Sequence, residues 1–231
     1  MLLLFGPPGS GKGTQSRLIT NWLAIPAIST GEMLRAEMQA GTTLGEAARS
    51  IVTSGGLVGD DLVNEMLKHR ISQPDCARGF LLDGYPRTVA QVEFLDGLIA
   101  ERNLPKPVIL HLDVPLDALL GRLTSRRQCP SCQRIYNLLH EPPRNADVCD
   151  DDGTALITRK DDQEDVVRER LRTYDELTRP VVAHYQDRDT YYQIRGDRSP
   201  AYIFEEITGI LEPLIQKDAR WHRLQPVRPT G

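Results

Sequence analysis

A glycine-rich segment near the start of the chain, GPPGSGKGTQ (residues 6–15), has the residue types that bind phosphate. It lies between the apolar run LLLF (2–5) and an amphipathic run, so it predicts a strand, a loop and a helix. Glycines leave backbone N–H groups free to converge on phosphate oxygens, and the helix adds its positive N-terminus. We therefore predict a nucleotide-phosphate site in which Gly6, Gly9, Gly11 and Gly13 leave backbone N–H groups free for phosphate oxygens and Lys12 bridges the outer phosphates.

One position departs from the usual phosphate loop. In that pattern a Ser or Thr follows the lysine directly and its hydroxyl binds Mg²⁺. Here Gly13 follows Lys12, and Thr14 comes one residue later. The Thr14 hydroxyl would then meet a phosphate oxygen or a metal-bound water. We expect a magnesium ion with little direct protein ligation, which suits an ion that keeps several waters.

Arginines recur at positions where anionic ligands collect. Their planar guanidinium binds phosphate through two parallel hydrogen bonds. Arg122 and Arg126 are four residues apart, which predicts that they share one face of a helix, although such a pair alone is typical of a solvated face. The others follow predicted strand ends, where open α/β sheets bind ligands, or flank the start of a long predicted helix. They are Arg35, Arg87, Arg159 and Arg170.

Three of the four cysteines lie in one short stretch. Cys129 and Cys132 are separated by two residues, and seventeen residues further Cys149 and Asp152 repeat that spacing. Two such pairs on opposite arms of a small insertion are typical of structural zinc. Three thiolates and a carboxylate complete a tetrahedron without an open position. The alternatives are a lid without metal, a disulfide between Cys129 and Cys132, or iron or cobalt in place of zinc.

Composition limits the class of protein. The 231 residues are 40% hydrophobic and 26% charged, as in an ordinary globular enzyme. The net charge of −4 argues against a general nucleic-acid binder. The apolar start is too short for a signal-peptide core, and no apolar run approaches the length of a membrane span. We expect a cytoplasmic monomer that binds neither nucleic acid nor membrane.

The elements that must position these residues alternate between short apolar runs and longer amphipathic ones. This pattern predicts an α/β domain with a parallel sheet. Predicted strands are 2–5, 26–29, 79–83, 107–114 and 190–195. Predicted helices are 12–23, 31–40, 43–54, 60–73, 88–101, 115–127, 162–188 and 199–216, of which the long one should be kinked or broken by Pro180. Residues 128–158 are turn-rich and form a predicted insertion.

Several motifs together resemble one family. GPPGSGKGTQ, STGEMLR (29–35), GFLLDGYPRTVAQ (79–91), GRLTSRR (121–127) and RKDDQEDVVRERL (159–171) are similar, in order and spacing, to adenylate kinases, which are nucleoside monophosphate (NMP) kinases. The resemblance covers about residues 1–215. With its insertion, the chain looks most like the long-lid bacterial type with a metal-binding lid. It departs at Glu32, where the family more often has Asp.

The resemblance implies a P-loop three-layer fold with a parallel five-stranded sheet, a helical NMP-binding insertion and a small β-rich zinc-binding lid. The implied core comprises 1–29, 60–121 and 160–216. Residues 30–59 would be the NMP-binding segment, 122–159 the lid, and 217–231 a flexible tail. The implied reaction is reversible transfer, ATP + AMP = 2 ADP, in nucleotide homeostasis and salvage. Mg²⁺ would act with ATP, and Zn²⁺ would be structural.

The resemblance also implies roles for individual residues. Lys12, Asp83, Arg87, Arg122, Arg126, Arg159 and Arg170 would be catalytic, and Asp83 would orient the water shell of magnesium. The donor, ATP, would contact the loop residues 9–14 together with Arg122, Arg126, Tyr136 and Arg198. The acceptor, AMP, would contact Thr30, Arg35, Leu57, Val58, Gly84, Arg87, Gln91, Arg159 and Arg170. The metal ligands would be Cys129, Cys132, Cys149 and Asp152.

Three alternative functions remain at this stage. A kinase for UMP, CMP or GMP is one, because arginines do not distinguish bases. A nucleic-acid-binding zinc module is another, and the acidic balance and the lack of interleaved aromatic and basic residues near the cysteines speak against it. A nucleotide-binding scaffold without catalysis is the third, and the intact arginine set argues against it.

Overall fold

A computed structural model describes residues 1–217 and places a five-stranded parallel sheet at the centre of the molecule. The strand order is β2-β3-β1-β4-β7. The five strands are β1 (Leu2–Phe5), β2 (Ala27–Ser29), β3 (Leu81–Asp83), β4 (Val108–Asp113) and β7 (Tyr191–Arg195). A separate antiparallel pair consists of β5 (Arg126–Gln128) and β6 (Ile135–Asn137).

Helices cover the sheet and extend from it. They are α1 (Lys12–Leu23), α2 (Thr30–Ala40), α3 (Thr43–Thr53), α4 (Asp60–Ile71), α5 (Val89–Glu101), α6 (Leu116–Thr124), α7 (Glu164–Thr173), α8 (Arg179–Tyr185) and α9 (Pro200–Lys217). Short 3₁₀ turns occupy Pro74–Arg78 and Lys160–Asp162, and a π-helical turn occupies Tyr174–Thr178.

The core has two faces because side chains of a strand alternate between the two sides of a sheet. From β1, Leu3 and Phe5 join one apolar cluster, while Leu2 and Leu4 join the other. All four are buried, as expected for a central strand covered by helices on both sides. The predicted three-layer α/β fold with five parallel strands is therefore confirmed.

The strands direct their carboxyl ends to one edge of the sheet. Pairing aligns Leu4 with Asp83, and Ser29 with Asp83, so β1, β2 and β3 end side by side. On the other side, Phe5 pairs with His111 on β4. Loops that leave this edge carry the phosphate loop and the predicted acceptor residues, in agreement with the rule for ligand sites in open sheets.

The long predicted helix, 162–188, is interrupted, as Pro180 indicated. It consists of α7, the π-helical turn and α8, and Pro180 lies in the first turn of α8. Proline has no backbone N–H to donate, so the first turn of a helix tolerates it. The interruption occurs in the turn before the proline.

The predicted helix 115–127 was wrong at its carboxyl end. Helix α6 ends at Thr124, and Ser125 donates its backbone N–H to the carbonyl of Gly121. The chain then extends into β5, where Arg127 pairs with Tyr136 of β6. Arg126 is therefore a strand residue and does not share a helix face with Arg122. Pairing with β6, whose partner residues lie seven to eleven positions further along the chain, outweighed the local helical pattern.

Two smaller parts adjoin the core. Helices α2 and α3 pack against each other within residues 30–59. The β5–β6 pair begins two residues before the predicted insertion (128–158), which also contains isolated bridges such as Gln128 with Ile157. Among residues 1–217 no helix is both long and apolar enough to cross a membrane. The predicted tail, 217–231, lies outside the described residues except for Lys217, which ends α9.

Candidate active site

A single cleft of about 1610 Å³ opens at the carboxyl edge of the sheet. Its walls come from all three parts of the molecule: the phosphate loop and α1 of the core, α2 and α3 of the 30–59 region, and the insertion. A cleft of this size is larger than the 300–1,000 Å³ that is usual for one small ligand. It has the volume for two nucleotides side by side.

The phosphate loop connects β1 to α1 across the floor of this cleft. Helix α1 begins at Lys12, and Gly11 before it is left-handed, with φ of 94°, and provides no side-chain cap. The first N–H groups of α1 therefore have no capping side chain and face the cleft. Gly9 is also left-handed, and a Cβ there would lie 2.9 Å from the Leu123 side chain. The loop needs glycine at this point for both reasons.

Lys12 lies at the centre of the loop. Its ammonium donates to the carbonyls of Gly6, at 2.6 Å, and Pro7, at 2.9 Å. Desolvation lowers the pKa of Lys12 to about 7, although the Asp83 carboxylate opposes this shift. A phosphate would favour the charged form of the lysine, because an opposite charge nearby stabilises it.

The insertion approaches the loop at Gly13. A Cβ on Gly13 would lie 3.3 Å from the Ile135 side chain of β6. The absence of a side chain at this position therefore allows β6 to pack closely over the start of α1. Ser10 lies beneath, and its buried hydroxyl has no hydrogen-bond partner among the described residues. Thr14 also lines the cleft.

The predicted arginines converge although they are far apart in the sequence. Each lines the cleft: Arg35, Arg87, Arg122, Arg126, Arg159, Arg170 and Arg198. Burial and the neighbouring Arg170 lower the pKa of Arg87 to about 10. Burial and Arg126 lower the pKa of Arg159 to about 10. The cleft therefore concentrates positive charge that a polyphosphate would neutralise.

Three carboxylates hold these arginines in place. Arg126 Nε donates to Asp162 at 2.7 Å, Arg170 lies 3.0 Å from Asp161, and Arg159 lies 2.8 Å from Glu32. Burial would raise the pKa of Asp161, but the neighbouring arginines, Arg170 first, outweigh it and lower that pKa. The same holds for Glu32, where Arg35 and Arg159 outweigh burial.

Sequence reasoning missed these carboxylates as site residues. Asp161 and Asp162 lie within the quoted motif RKDDQEDVVRERL, directly after Lys160, and both are buried. Glu32 was noted only as a departure from the family. The available signal was chemical: several buried arginines need counter-charges, and the motif contains two adjacent aspartates.

The predicted acceptor residues lie together on the side of α2. The Thr30 hydroxyl donates to the Gly84 carbonyl at 3.1 Å, and Arg87 Nε donates to the same oxygen at 2.7 Å. Leu57 and Val58 line the cleft beside them. Gln91 also reaches the cleft, and its amide is bonded within the protein to Asp60 and to the backbone of Arg87.

Of two other predicted site residues, Asp83 is partly buried and Tyr136 is buried. Asp83 ends β3 at the cleft, where burial raises its pKa even though Lys12 and Arg87 oppose the shift. Its carboxylate oxygens are of the ligand type that magnesium prefers. Tyr136 is buried in the insertion, and its hydroxyl accepts a hydrogen bond from the Asp150 N–H at 2.7 Å.

The predicted metal ligands form one compact cluster. The sulfur atoms of Cys129, Cys132 and Cys149 and a carboxylate oxygen of Asp152 lie within 4.8 Å of one another. Cys132 and Cys149 are 3.5 Å apart at sulfur, and Cys129 lies 3.4 Å from Asp152. Tetrahedral zinc with bonds of about 2.3 Å would separate its ligands by about 3.8 Å. The set fits a tetrahedral ion, and all four cysteines of the chain are free thiols.

A glycine-rich loop before a helix, a parallel sheet and an arginine-lined cleft define a P-loop phosphotransferase. The family model for adenylate kinase matches residues 4–190. The chain is 44% identical to the adenylate kinase of Thermodesulfovibrio yellowstonii over 211 residues, which cover 91% of this chain and 98% of that protein. It is 40% identical to the adenylate kinase of Archaeoglobus fulgidus over 213 residues, covering 92% and 98%. The chain belongs to the adenylate kinase family.

Proposed function

We propose that this chain catalyses the reversible, magnesium-dependent reaction ATP + AMP = 2 ADP. The observation that carries the proposal is the convergence of Lys12 and six arginines, drawn from three parts of the molecule, on one cleft with room for two nucleotides. Phosphoryl transfer needs mainly positioning and stabilisation of charge on the transferring group. A ring of fixed cations supplies both.

On the donor side, the loop residues Gly9, Ser10, Gly11, Gly13 and Thr14 would bind the ATP phosphates through backbone N–H groups and hydroxyls. Lys12 would exchange its carbonyl partners for the outer phosphates. Arg122 and Arg126, with Tyr136 and Arg198, would complete the donor site. The unpartnered hydroxyl of Ser10 supports this assignment, since a buried polar atom is usually satisfied by a ligand or water.

On the acceptor side, Arg35 and Arg87 would bind the AMP phosphate, and Arg159 and Arg170 would lie between the two nucleotides. Thr30, Leu57, Val58, Gly84 and Gln91 would form the base pocket. Ion pairs to Glu32, Asp161 and Asp162 hold four of the arginine side chains. Pre-organised cations lose little freedom when the substrates bind.

Magnesium fits a site beside Asp83, where a carboxylate faces the phosphate loop. When bound with ATP, the ion would neutralise charge on the phosphate oxygens. Asp83 would orient its water ligands. No general base is required, because a phosphate acceptor is already ionised at neutral pH. The five histidines therefore need no chemical role.

We also propose the division into a core (1–29, 60–121, 160–216), an NMP-binding segment (30–59) and a lid (122–159). Closing the two smaller parts over the substrates would exclude water and prevent hydrolysis of the donor. Structural zinc at the four-ligand cluster is the metal we propose for the lid, ahead of iron or cobalt. A cytoplasmic location and a monomeric state stay predictions, to be tested by fractionation and sedimentation.

The experiment incubates the purified protein with MgATP and each of AMP, UMP, CMP and GMP, and measures ADP formation. Turnover with AMP alone supports the proposal, turnover with another monophosphate identifies a different acceptor, and no turnover contradicts it. Arg87→Ala should mainly raise KM for the acceptor, and Arg122→Ala should mainly lower kcat. Unchanged kinetics in both variants would contradict the assigned roles.

A further inference from the structure

Asp60 does not line the cleft, but its carboxylate bonds two side chains near the start of α5. It is the first residue of α4, and one carboxylate oxygen accepts from Gln91 Nε2 at 2.7 Å. The other accepts from the Thr88 hydroxyl at 2.8 Å. Both oxygens are therefore directed at the start of α5, while Gln91 itself reaches the cleft. This contact joins residues 31 positions apart in the sequence.

The two partners of the Gln91 side chain determine which way its amide points. The backbone N–H of Arg87 is a donor, so the atom it meets at 2.8 Å must be the amide oxygen. The Asp60 carboxylate can only accept, so the atom it meets must be the amide nitrogen. If the amide were flipped, its oxygen would face the Asp60 carboxylate oxygen, and its NH2 group would face the backbone N–H of Arg87. The flipped orientation would lose both hydrogen bonds.

Gln91 is nearly fully buried, with 3% of its surface exposed, which makes that loss costly. The Thr88 hydroxyl adds to the restraint, because it donates to Asp60 and also accepts the Gln91 backbone N–H at 3.2 Å as the cap of α5. Carboxylate, hydroxyl and amide thus form one network in which each group fixes the next.

Each end of the fixed amide retains one hydrogen-bonding position. The nitrogen has a second N–H, and the oxygen has a second lone pair. A 6-aminopurine offers an acceptor at N1 and a donor at its amino group, which complements this pair. A 6-oxopurine has an acceptor at O6 and a donor at N1, which is the reverse pattern and would require the flipped amide.

We propose that Asp60 is a positioning residue that makes the acceptor site selective for 6-aminopurine over 6-oxopurine monophosphates, by fixing the orientation of the Gln91 amide. The inference rests on the proposed function, in which Gln91 contacts the acceptor base. It adds a residue outside the pocket whose effect on selectivity is exerted wholly through Gln91.

The test compares AMP with inosine monophosphate, which differs at the 6-position. Steady-state kcat/KM for both acceptors, and KM for MgATP, are measured in wild type and Asp60→Asn. An amide at position 60 can donate or accept, so it removes the carboxylate's opposition to the flipped Gln91 amide, while the backbone N–H of Arg87 continues to oppose it. We expect the preference for AMP to fall at least tenfold, by a higher KM for AMP and a lower KM for inosine monophosphate, with KM for MgATP unchanged.

The matched control is Asp61→Asn. Asp61 lies in the same first turn of α4 and is exposed, so the variant removes the same helix-end charge without touching Gln91. It should keep the wild-type preference. In a Gln91→Ala background, Asp60→Asn should cause no further change in preference, because the residue through which it acts is gone.

The outcomes separate the two proposals. If wild type turns over no monophosphate, the proposed function is wrong, and this inference falls with it. If wild type uses AMP and Asp60→Asn discriminates as well as wild type, only the inference is wrong. A loss of kcat at constant preference would show a purely structural role and would also overturn it. Should Asp60→Asn not fold, Asp60→Ser, with a residue favoured at helix starts, is measured in the same way.

Discussion

The core and the proposed lid (122–159) are stabilised by different means. The core buries two large apolar clusters, one on each face of the sheet, with residues such as Ile109 and Leu110 fully enclosed. The lid buries one small cluster, Cys129, Tyr136 and Cys149, against which Leu156 packs. Two of its buried residues are proposed metal ligands.

This difference shows how a small part can be rigid without a core of its own. An insertion of about forty residues cannot bury enough apolar surface to offset its conformational entropy. A tetrahedral metal site supplies fixed geometry instead, since binding free energy becomes folding free energy. The core needs no such aid. Both parts contribute cations to the same cleft. Loss of structure in the lid should therefore affect catalysis as well as stability.

Metal removal should give the largest difference between the lid and the core, because only the lid should lose its hydrogen-exchange protection. Cys149→Ser, or chelation, should abolish hydrogen-exchange protection of residues 126–158, because structural zinc contributes roughly 10 kcal/mol or more to small zinc domains. Protection of β1 and β4 should stay within about threefold. Metal analysis should find about one equivalent in wild type and much less in the variant.

Cys76→Ser is the control for that experiment. Cys76 is buried in the core, far from the ligand set, so the variant should retain its metal and its lid protection. Equal loss of protection in the core and the lid on chelation would contradict the comparison.

The second effect concerns the cations that the lid contributes. Arg126→Ala should lower kcat by about 10³-fold, because it removes a charge from the phosphate-binding cleft. Among residues 1–217, the side chain of the neighbouring Arg127 bonds only backbone carbonyls, those of Thr124 and Arg126, and it does not line the cleft. Arg127→Ala should change kcat less than about threefold. A similar loss of kcat in the two variants would contradict the prediction that only the arginine lining the cleft contributes to catalysis.

Shortening a buried apolar side chain should destabilise the core more than the lid, whereas metal removal should affect the lid more than the core. Ile109→Ala, at a fully buried position of β4, should lower the free energy of unfolding by about 2–5 kcal/mol. Leu156→Ala in the lid, where the side chain is only partly buried, should cost less than about 1 kcal/mol. Chemical denaturation of both variants with metal bound provides the measurement. A larger cost at Leu156 would show that the lid depends on apolar packing.

The smallest expected effect is proton uptake by Lys12 when MgATP binds. Lys12, with a pKa of about 7, is largely neutral at pH 8.5 in the free protein. Bound phosphates should raise that pKa, so MgATP binding should take up close to one proton at pH 8.5 and much less at pH 6, where Lys12 is already charged. Calorimetry in buffers of different ionisation enthalpy measures the uptake. Proton release at pH 8.5 would contradict the prediction.

The local sequence was sufficient to predict a structural feature wherever that feature depends on residues close to it in the chain. The strand–loop–helix around GPPGSGKGTQ, the nearly continuous apolar run of β4 and the interruption near Pro180 all follow from neighbouring residues. The arginines that line the cleft were also identified from their motifs. In each case the physical cause lies within a few residues of the feature: periodicity, backbone freedom or a missing N–H.

Tertiary structure decided what depends on distant partners. Arg126 was expected on a helix face, but pairing of β5 with β6 drew it into a strand. Asp161, Asp162 and Glu32 became part of the site because they neutralise arginines from other elements. The orientation of the Gln91 amide depends on Asp60, 31 residues away. The sequence by itself determined which residues could bind phosphate, whereas only the folded chain decided which partners hold them, because ion pairs and buried hydrogen bonds depend on distances in space.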